Sequence, residues 1–399
     1  MFIDKYIYRD TILKDIFKIK EKDYCGQIVW KIDYNWKKIW KIDDFSKMED
    51  CEQNPKWHGE GNVKKHTLIV CEAAEKIVAE GYENDGWIYG EDKFNEAVVL
   101  LTAALFHDIG KIRTTKIGKD GNWHSYNHEY EGEKMTRRIL WDTGYLFREK
   151  VCALVKYHMI PLSILDRKDY IEEIVKISKI CSWKLLYYLK KCDLIGSVQK
   201  DENLKKADFI KLEEVYNIAK IFENVMDLAK NRGMFNYQKY LEGLNKKPLT
   251  LIMMIGLPGS GKDTYIKENF NTDRYSVICR DDIRVELGFC KENEKIVGTS
   301  KQEEEVTKVF NEKMLEAARN GKTIVINNIN LKKEYRVAYT RFLSNYNVFV
   351  KYIYIEATSL SKNLERRNGQ INESIFNTMI EKFEWPTIDE YDELFVVTN

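Results

Sequence analysis

The sequence predicts two domains: an all-α helical domain, followed by an α/β domain built on a parallel sheet. Between residues 60 and 230, apolar residues recur with the period of an α-helix, as in residues 67–78 and 207–230. After residue 249, apolar strands alternate with helical stretches, which is typical of a parallel sheet covered by helices. At 399 residues, the chain is also longer than a single hydrophobic core usually supports.

The predicted domain boundary lies near residue 245. Glycines, asparagines and a proline interrupt the helical pattern at 231–234 and 243–248, and the strand-like segment 249–255 follows. We therefore predict a first domain over residues 1–245, with its motifs between 55 and 200, and a second over residues 246–399. Further strands are predicted at 275–279, 323–327 and 348–355.

Composition and charge exclude several classes of protein. A net charge of +1 argues against a large basic face that coats duplex nucleic acid. The eight cysteines form no Cys-x-x-Cys pair, which favours free thiols in a reducing compartment. The amino terminus lacks a signal-peptide pattern, and the longest apolar runs reach about half of the ~20 residues that a membrane span needs. We expect a cytoplasmic protein without a membrane partner.

A glycine-rich loop, Gly256-Leu-Pro-Gly-Ser-Gly-Lys262, follows the first predicted strand of the second domain and precedes a helix. In that context glycines let backbone N–H groups surround the phosphates of ATP, and the lysine reaches the β and γ oxygens. Arginines after the last predicted strand suit a lid that clamps ATP, although a solvated helix face would also explain them. The predicted ATP- and phosphate-binding residues are Gly256, Gly259, Ser260, Gly261, Lys262, Asp263, Thr264, Arg366 and Arg367.

The eighth position of this loop departs from the usual pattern. A Ser or Thr hydroxyl normally ligates Mg²⁺ there, whereas this chain has Asp263, followed by Thr264. A carboxylate also suits a hard cation. The sequence leaves open whether Asp263 ligates Mg²⁺ or holds one of its waters.

A second group of polar residues follows the next two predicted strands. The segment Arg280-Asp-Asp-Ile-Arg284 would project into the crevice at the edge of the sheet, where one of its carboxylates could take the proton of a phosphate acceptor. Arg284 would share the helical face and could hold a phosphate of that acceptor. Asn328 and Asn330, after the third strand, could hydrogen-bond the acceptor. The alternative is a helix start that is acidic for dipole reasons alone.

The order of these motifs resembles the polynucleotide 5′-kinases of phage and bacterial RNA repair. The matching features are the P-loop, Asp281-Asp-Ile-Arg284, Asn328-Ile-Asn330-Leu with Arg336 after it, and the arginine-bearing lid. The resemblance implies that Asp281 is the general base, that Arg284 grips the 3′ phosphate of the terminal nucleotide, and that lid arginines contact ATP. Gly369-Gln-Ile stands where the family has its second lid arginine, which leaves open which arginine clamps ATP.

All six histidines fall within about a quarter of the chain, in the first domain. His107-Asp108 ends an apolar helix and precedes Ile-Gly-Lys111, and such a doublet is costly to bury unless it is coordinated. His66 and Asp193 lie on other predicted helices, so that four ligands from three helices could close on one ion. For His58 and His124, a histidine satisfied by backbone carbonyls remains the alternative.

His66, the His107-Asp108 doublet with Gly110-Lys111, and Asp193 resemble the HD phosphohydrolase superfamily, and Trp57-His-Gly-Glu60 ahead of His66 extends the match. The resemblance implies that His128 and His158 complete a second metal site. Metal-activated water would attack a phosphate ester, with Lys111 steadying its charge. The predicted cofactors are one or two divalent transition metals such as Mn²⁺, Co²⁺ or Ni²⁺, besides ATP and Mg²⁺ in the second domain. The predicted metal ligands are His66, His107, Asp108, His128, His158 and Asp193.

The fusion of the two domains resembles the bacterial end-healing enzymes called HD-Pnk, which remove a 2′ or 3′ phosphate and phosphorylate a 5′-hydroxyl so that a ligase can seal the break. The implied partners are RNA or DNA ends, a nucleoside triphosphate and an RNA ligase. One alternative is a nucleotide or small-metabolite kinase fused to an HD nucleotidase or cyclic phosphodiesterase, and another is a nucleotide-gated binding module. For the tryptophans of residues 1–50, core packing is favoured over base stacking.

Overall fold

The computed structural model describes residues 11–81, 86–199, 201–231, 249–291, 298–356, 359–366 and 371–398, and for residues 223–231 it describes the backbone. The chain divides into two compact units, Met1–Asn231 and Arg232–Asn399. The predicted boundary near residue 245 lies outside the described residues. Within them, no helix is both long and apolar enough to cross a membrane.

The first unit is mainly helical. Its strands are β1 Phe17–Tyr24, β2 Gln27–Tyr34, β3 Ile88–Tyr89, β4 Lys116–Ile117 and β5 Trp123–His124. Its helices are α1 Leu13–Ile16, α2 Trp36–Ile39, α3 Asp43–Ser46, α4 Val63–Gly81, α5 Glu91–Phe106, α6 Lys111–Thr114, α7 His128–Ile139, α8 Tyr145–Tyr157, α9 Tyr170–Ser178, α10 Trp183–Gly196 and α11 Glu202–Asn231. Short 3₁₀ turns lie at Lys47–Glu49, Trp141–Thr143, Ile160–Leu162 and Ile164–Asp166.

The first unit also contains an antiparallel sheet of β1, β2 and β3, which was not predicted from the sequence. Strands β1 and β2 form a hairpin whose turn residues, Cys25 and Gly26, have φ values of 54° and 81°. Positive φ at both central residues matches the twist of a two-residue hairpin. Trp30 is buried and packs on Phe94 with ring centroids 4.9 Å apart, in agreement with the core packing predicted for this region.

Helices α4, α5 and α10 form the centre of the first unit. Helix α5 is buried from Ala97 to Phe106, as expected of a helix that is apolar on all sides. Helices α4 and α10 approach closely because position 196 is a glycine: a Cβ there would lie 2.4 Å from a methyl group of Val70. This close packing places His66 of α4 beside Asp193 of α10.

The turn after α5 is equally close to the start of α7. A Cβ on Gly110 would lie 2.0 Å from the carbonyl oxygen of His128, which no side chain could tolerate without a backbone shift. Glycine after the His107-Asp108 doublet therefore lets the doublet and His128 come together.

The second unit is an α/β fold. Its strands are β6 Leu249–Ile255, β7 Tyr275–Ile278, β8 Thr323–Ile326, β9 Val348–Glu356 and β10 Glu393–Thr398. Its helices are α12 Lys262–Asn269, α13 Arg280–Glu286, α14 Ser300–Arg319, α15 Lys333–Phe342, α16 Leu360–Arg366 and α17 Glu373–Glu381. In the described residues the strands are all parallel, in the order β10-β9-β6-β8-β7.

The fold class predicted from the sequence is confirmed, with four of the strands of the parallel sheet close to their predicted bounds and β10 added at one edge. The P-loop follows β6, Asp281 follows β7 and Asn327 follows β8. Since the carboxyl ends of parallel strands meet at one edge, these segments lie together, at the position where ligands bind in open α/β sheets. Arg336 of α15 is fully buried and pairs with Glu390, with 2.8 Å between Nε and Oε2.

Candidate active sites

The first unit brings together a set of potential metal ligands from α4, the end of α5 and α10. Nε2 of His66 lies 3.0 Å from Oδ1 of Asp193 and 3.3 Å from Nε2 of His107. Nε2 of His107 is 3.8 Å from the same oxygen of Asp193. Both histidines are fully buried. The three donor atoms are close enough together to hold one cation.

Asp108 lies between this set and a second one. Its Oδ2 is 3.4 Å from Nε2 of His107 and 3.6 Å from Nε2 of His66. Its Oδ1 is 3.3 Å from Nε2 of His128 and 3.8 Å from Nε2 of His158. The last two nitrogens are themselves 3.2 Å apart. The six predicted metal ligands are therefore brought together as two sets, with the Asp108 carboxylate facing both.

Hydrogen bonds orient the imidazole rings so that Nε2 faces the centre. Nδ1 of His107, His128 and His158 lies 2.8, 2.8 and 2.6 Å from the backbone carbonyl oxygen three residues earlier. A carbonyl only accepts, so Nδ1 of each ring donates a proton and Nε2 keeps the lone pair that a cation needs. This is the usual arrangement of histidine ligands.

Glu60 supports the first set and was not assigned by the sequence analysis. Its Oε1 lies 2.7 Å from Nδ1 of His66 and 2.8 Å from Nδ1 of His58, and its Oε2 accepts the backbone N–H of Val198 at 2.8 Å. Burial alone would raise the pKa of Glu60, but the hydrogen bonds from His58 and His66 hold that pKa below its ordinary range. His58 thus belongs to the support of the site.

Each carboxylate of the centre has a lysine partner on its own helical turn. Nζ of Lys111 is 2.7 Å from Oδ2 of Asp108, and Nζ of Lys190 is 2.6 Å from Oδ2 of Asp193. Burial raises the pKa of both carboxyl groups, but the lysines and the neighbouring histidines outweigh it and hold both pKa values well below the ordinary range. The two aspartates are therefore ionised, which is the form that binds cations.

The donor set fits a divalent metal. Burial, together with His128 and His107, lowers the pKa of His158 well below its usual value, so that this ring is neutral. At His66 burial also acts to lower the pKa, but hydrogen bonds to Asp193 and Glu60 prevail and raise it to about 9. Imidazole nitrogens combined with carboxylate oxygens suit ions such as Mn²⁺, Co²⁺ and Ni²⁺.

His124 lies apart from these sets. It is on the β4–β5 hairpin, where its Nε2 is 2.9 Å from Oδ1 of Asp120. The alternative considered for it, a core histidine satisfied by backbone carbonyls, is wrong, since its partner is a side-chain carboxylate on a surface hairpin.

In the second unit, the loop between β6 and α12 has the backbone of a phosphate-binding loop. Gly259 and Gly261 have φ values of 76° and 101°, which favour glycine. Nζ of Lys262 donates to the carbonyl oxygens of Gly256 and Leu257 at 2.8 and 2.9 Å. The side chain of Lys262 therefore lies along the phosphate-binding loop, and Ser260 is buried within the same loop.

Helix α16 packs on this loop. A Cβ on Gly259 would lie 2.8 Å from the carbonyl oxygen of Asn363, and Nδ2 of Asn363 donates to the carbonyl oxygen of Pro258 at 3.3 Å. Nη1 of Arg366 donates to the carbonyl oxygen of Gly259 at 3.1 Å. Arg366 is therefore next to the phosphate-binding loop, while Arg367 lies outside the described residues.

Asp263 and Asn327 form a pair at the same edge of the sheet. Nδ2 of Asn327 donates to Oδ1 of Asp263 at 2.8 Å. Asp263 lies in the first turn of α12, followed by the exposed Thr264, and Asn327 directly follows β8. The carboxylate of the pair is on the loop side and the neutral group is at the strand end.

Asp281 and Arg284, which the sequence placed on one helical face, form an ion pair with 2.6 Å between Oδ1 and Nη1. Arg284 also contacts Glu303 of α14, with Nε at 2.7 Å from Oε1 and Nη2 at 2.9 Å from Oε2. Glu303 accepts from Nη2 of Arg280 at 2.9 Å as well. The hydrogen bond from Arg284, aided by Arg280, lowers the pKa of Glu303 to about 2 although burial opposes it.

The two asparagines predicted to bind the acceptor lie in different environments. Asn328 borders the Asp281 segment: its Oδ1 accepts the backbone N–H of Arg280 at 3.2 Å, and its Nδ2 is 3.1 Å from the hydroxyl of Tyr339. Asn330 is 2% exposed, has φ of 46°, and donates to the carbonyl oxygen of Met254 at 2.7 Å. We therefore correct the role of Asn330, which ties the end of β6 to the loop after β8 and does not face an acceptor.

Three supporting residues had no role predicted from the sequence: Glu60, which was named only as part of the HD motif, Lys190 and Glu303. A sequence signal existed for the first two, since Lys190 precedes Asp193 by one helical turn and Glu60 precedes His66 by six residues. Glu303 is 19 residues from Arg284 and on another helix, so no local pattern links them.

Comparison with known proteins agrees with this division of the chain. Residues 63–184 match the HD domain family, and residues 251–386 match the AAA domain family AAA_33. The fold and the two sites thus define a protein with a helical HD domain followed by a P-loop domain. More specifically, the chain combines a region that matches the HD domain family with a P-loop region that matches the AAA_33 family.

Similar proteins include the "Putative bifunctional polynucleotide kinase/RNA ligase" of Autographa californica nuclear polyhedrosis virus, which is 30% identical over 164 residues. The alignment covers 38% of this chain and 22% of that protein, so the chain spans about a fifth of the relative's length. Among solved structures, a chain of the Pnkp1/Rnl/Hen1 RNA repair complex is 20% identical with a TM-score of 0.30, covering 35% of this chain and 44% of that one. A gluconokinase from Sinorhizobium meliloti 1021 is 20% identical with a TM-score of 0.28, covering 38% of this chain and 84% of that one.

Proposed function

We propose that this protein heals the ends of broken nucleic acids, with RNA as the favoured substrate. The domain over residues 246–399 would transfer the γ-phosphate of ATP to a 5′-hydroxyl, and the domain over residues 1–245 would remove a 2′ or 3′ phosphate. The observation that carries the kinase assignment is the Asp281–Arg284 pair at the sheet edge that also bears the P-loop. Partial similarity to a viral polynucleotide kinase/RNA ligase supports the substrate class.

In the kinase reaction, Asp281 would accept the proton of the attacking 5′-hydroxyl, and Lys262 would steady the phosphates of ATP. Arg284 is suited to hold a phosphate of the acceptor, because its guanidinium is already oriented by Glu303. Asn328 borders the same crevice and would contribute to acceptor binding. Arg366, next to the carbonyl of Gly259, would contact the transferring phosphates.

For Mg²⁺ in the kinase domain, we propose that Asp263 replaces the usual loop hydroxyl. P-loop proteins commonly pair that hydroxyl with a strand-end aspartate, so that one carboxylate serves the cation. In this chain the loop has the carboxylate and the strand end has Asn327, which donates to it at 2.8 Å. The pair therefore carries one negative charge, as the usual hydroxyl–aspartate pair does, but the charge lies on the loop and not at the strand end.

In the HD domain, divalent metals would supply Lewis-acid polarisation of the phosphate ester and an activated water. Nε2 of the four buried histidines, with Asp108 and Asp193, would hold them. Lys111 donates to Asp108 and would add positive charge where the substrate phosphate binds. Burial of the centre excludes bulk water from the reacting groups.

One experiment tests both halves. A 3′-phosphorylated, 5′-hydroxyl RNA oligomer is incubated with ATP, Mg²⁺ and Mn²⁺, and both ends are analysed. Lys262→Ala should abolish 5′ phosphorylation while 3′ dephosphorylation continues, and His107→Ala should do the reverse. An oligomer whose ends both remain unchanged with the wild-type protein would contradict the proposal.

The choice of acceptor tests the role of Arg284. If free nucleosides are phosphorylated as efficiently as 3′-nucleotides or oligomers, Arg284 does not have the acceptor role, and a small-metabolite kinase is favoured.

An RNA ligase would then seal the healed ends, which makes a ligase the expected partner. The chain's similarity to a kinase/ligase protein supports this partner class. Sealing of a broken RNA by an added ligase, only after treatment with this protein, ATP and both metals, would be the expected result.

A further inference from the structure

A short hairpin beside the HD centre carries an exposed aromatic pair that the proposed chemistry does not use. The rings of His124, on β5, and Tyr126, two residues later, stack with centroids 5.2 Å apart and planes 7° apart. Tyr126 is 73% exposed, the largest value for a bulky hydrophobic side chain in the part of the chain that the structure describes. A tyrosine so exposed gains little from core burial, so its ordered stacking calls for another explanation.

The hairpin holds the histidine of this pair in place from two sides. Nε2 of His124 lies 2.9 and 3.0 Å from the two carboxylate oxygens of Asp120, whose Oδ2 also accepts from Nδ2 of Asn122 at 3.0 Å. Gly118 leaves room for the imidazole, because a Cβ there would lie 2.5 Å from Cδ2 of His124 and would displace the ring. The stacked surface is therefore formed before any ligand binds, which lowers the entropic cost of binding.

The pair lies close to the HD centre. The hydroxyl oxygens of Thr115 and Ser125 are 2.7 Å apart and join the base of the hairpin, and the carbonyl oxygen of Ser125 accepts the Nδ1 proton of His128. Tyr126 precedes His128 by two residues, so their Cα atoms are at most about 7.6 Å apart. Among the six metal ligands, Asp193 and His128 keep the most exposure, 8% and 7%. His128 is therefore one of the two metal ligands with the most exposed surface, and it lies two residues from Tyr126 in the chain.

The exposed lysines of the hairpin suit a polyanion. Lys116 and Lys119 of the hairpin are exposed, and Asp120, its one acidic residue, is directed at His124. An exposed aromatic ring also lies next to His58 in the chain: Nζ of Lys56 lies 4.5 Å from the ring centroid of Trp57, which is 42% exposed. Aromatic rings between lysines are the means by which proteins bind single strands, through base stacking and phosphate contacts.

We propose that His124 and Tyr126 form a stacking surface for a nucleobase near the 3′ end of a single-stranded nucleic acid, and that this contact positions the terminal phosphate at the Asp108 centre. This inference rests on the proposed function of the HD domain and extends it. It makes the site selective for oligonucleotide ends over small phosphate esters, since only an oligomer can reach both the ring surface and the centre.

The binding test uses the full chain in EDTA, so that no turnover occurs. The probe is a single-stranded RNA with a 3′ phosphate and a fluorescein at its 5′ end, which blocks the kinase acceptor position, and its Kd is measured by fluorescence anisotropy. Tyr126→Ala should raise Kd roughly five- to hundredfold, the usual effect of losing one base–aromatic stack, whereas Tyr126→Trp should keep it near the wild-type value. Tyr24→Ala, at the 54% exposed tyrosine of the β1–β2 hairpin, is the matched control and should leave Kd unchanged.

The kinetic test compares two substrates with Mn²⁺ present. Tyr126→Ala should raise KM for 3′ dephosphorylation of the oligomer while hydrolysis of p-nitrophenyl phosphate stays unchanged. An unchanged Kd in Tyr126→Ala, equal losses on both substrates, or equally tight binding of a blunt duplex by the wild-type protein would each overturn the stacking surface. Wild-type protein that hydrolyses neither substrate would instead contradict the proposed HD activity, and the anisotropy result would still decide the stacking surface.

Discussion

At the scale of single residues, the kinase site differs from the usual P-loop pattern in where its carboxylate lies. Asp263 occupies the loop position of a hydroxyl, and Asn327 occupies the strand-end position of an aspartate, with 2.8 Å between Oδ1 and Nδ2. The neutral amide donates to the carboxylate, whereas two carboxylates at that distance would repel each other. Asn327 therefore stabilises the carboxylate of Asp263, which an aspartate at position 327 would destabilise.

A double-mutant cycle tests this exchange. Asn327→Asp alone should reduce Mg²⁺-dependent ATP binding by roughly tenfold, since two like charges about 3 Å apart repel by ~1.5 kcal/mol even in water. Asp263→Ser alone should weaken it by removing the carboxylate. The double variant restores one carboxylate and should recover most of the affinity. The measurement is the Kd of ATP with and without Mg²⁺, and additive losses in the double variant would show that the two residues are independent.

Glu303 is a positioning residue for Arg284, with two contacts below 3 Å. Glu303→Gln should raise KM for a 3′-phosphorylated acceptor severalfold with a smaller effect on kcat, while Glu303→Asp should retain part of the wild-type KM. The pKa of Glu303 is lowered to about 2, so the carboxylate stays ionised as pH falls until that value is reached. The KM defect of Glu303→Gln should therefore be the same at pH 5.5 and pH 8.5. If Glu303→Gln raised KM only at pH 8.5, the pH dependence would have to come from a group other than Glu303.

At the scale of elements, the HD centre depends on how closely one turn approaches one helix. The turn after α5 brings Asp108 to the first residue of α7, His128, because Gly110 offers no side chain to the intervening space. Gly196 does the same for α4 and α10, which supply His66 and Asp193. These glycines bring together ligands from four helical segments that are distant in the chain.

Gly110→Ala should separate the two ligand sets. Its Cβ would lie 2.0 Å from the carbonyl oxygen of His128, and overpacking of this kind costs about 1–3 kcal/mol. We expect a lower Tm and a loss of Mn²⁺ retained after dialysis, with kinase activity unchanged. Gly81→Ala is the matched control, because a Cβ there meets nothing within 4 Å. Full metal retention in the Gly110→Ala protein would contradict this account of the turn.

At the scale of the whole molecule, the chain consists of two units with separate hydrophobic cores. The first core joins residues from Leu13 to Ala219, and a core of the second lies on one face of the parallel sheet's central strands, including Ile252 and Val325. Each candidate site draws all of its described residues from one unit. Nothing in the proposed chemistry requires a side chain from the other unit.

Residues 1–245 and 246–399, produced as separate proteins, should each fold and keep the activity assigned to that half. The reason is that each has its own core and a complete set of site residues. Circular dichroism would establish folding, and the two-ended RNA assay would establish activity. A fragment that is folded but active only when the other fragment is added would show that the units share a site.

The two-domain order and the parallel sheet could be predicted from the sequence alone, and so could the candidate site residues that the structure brings together. The P-loop, the His107-Asp108 doublet and Asp281 with Arg284 could be found because each is a local pattern whose spacing reflects one turn or one helical face. Only the tertiary structure shows which groups support them: Glu60 reaches the backbone of Val198 across 138 residues, and Glu303 reaches Arg284 from another helix. It also turned Asn330 inward and placed His124 against Asp120 and Tyr126. Such contacts depend on how helices and strands pack, and packing between distant segments leaves no periodic trace in the sequence.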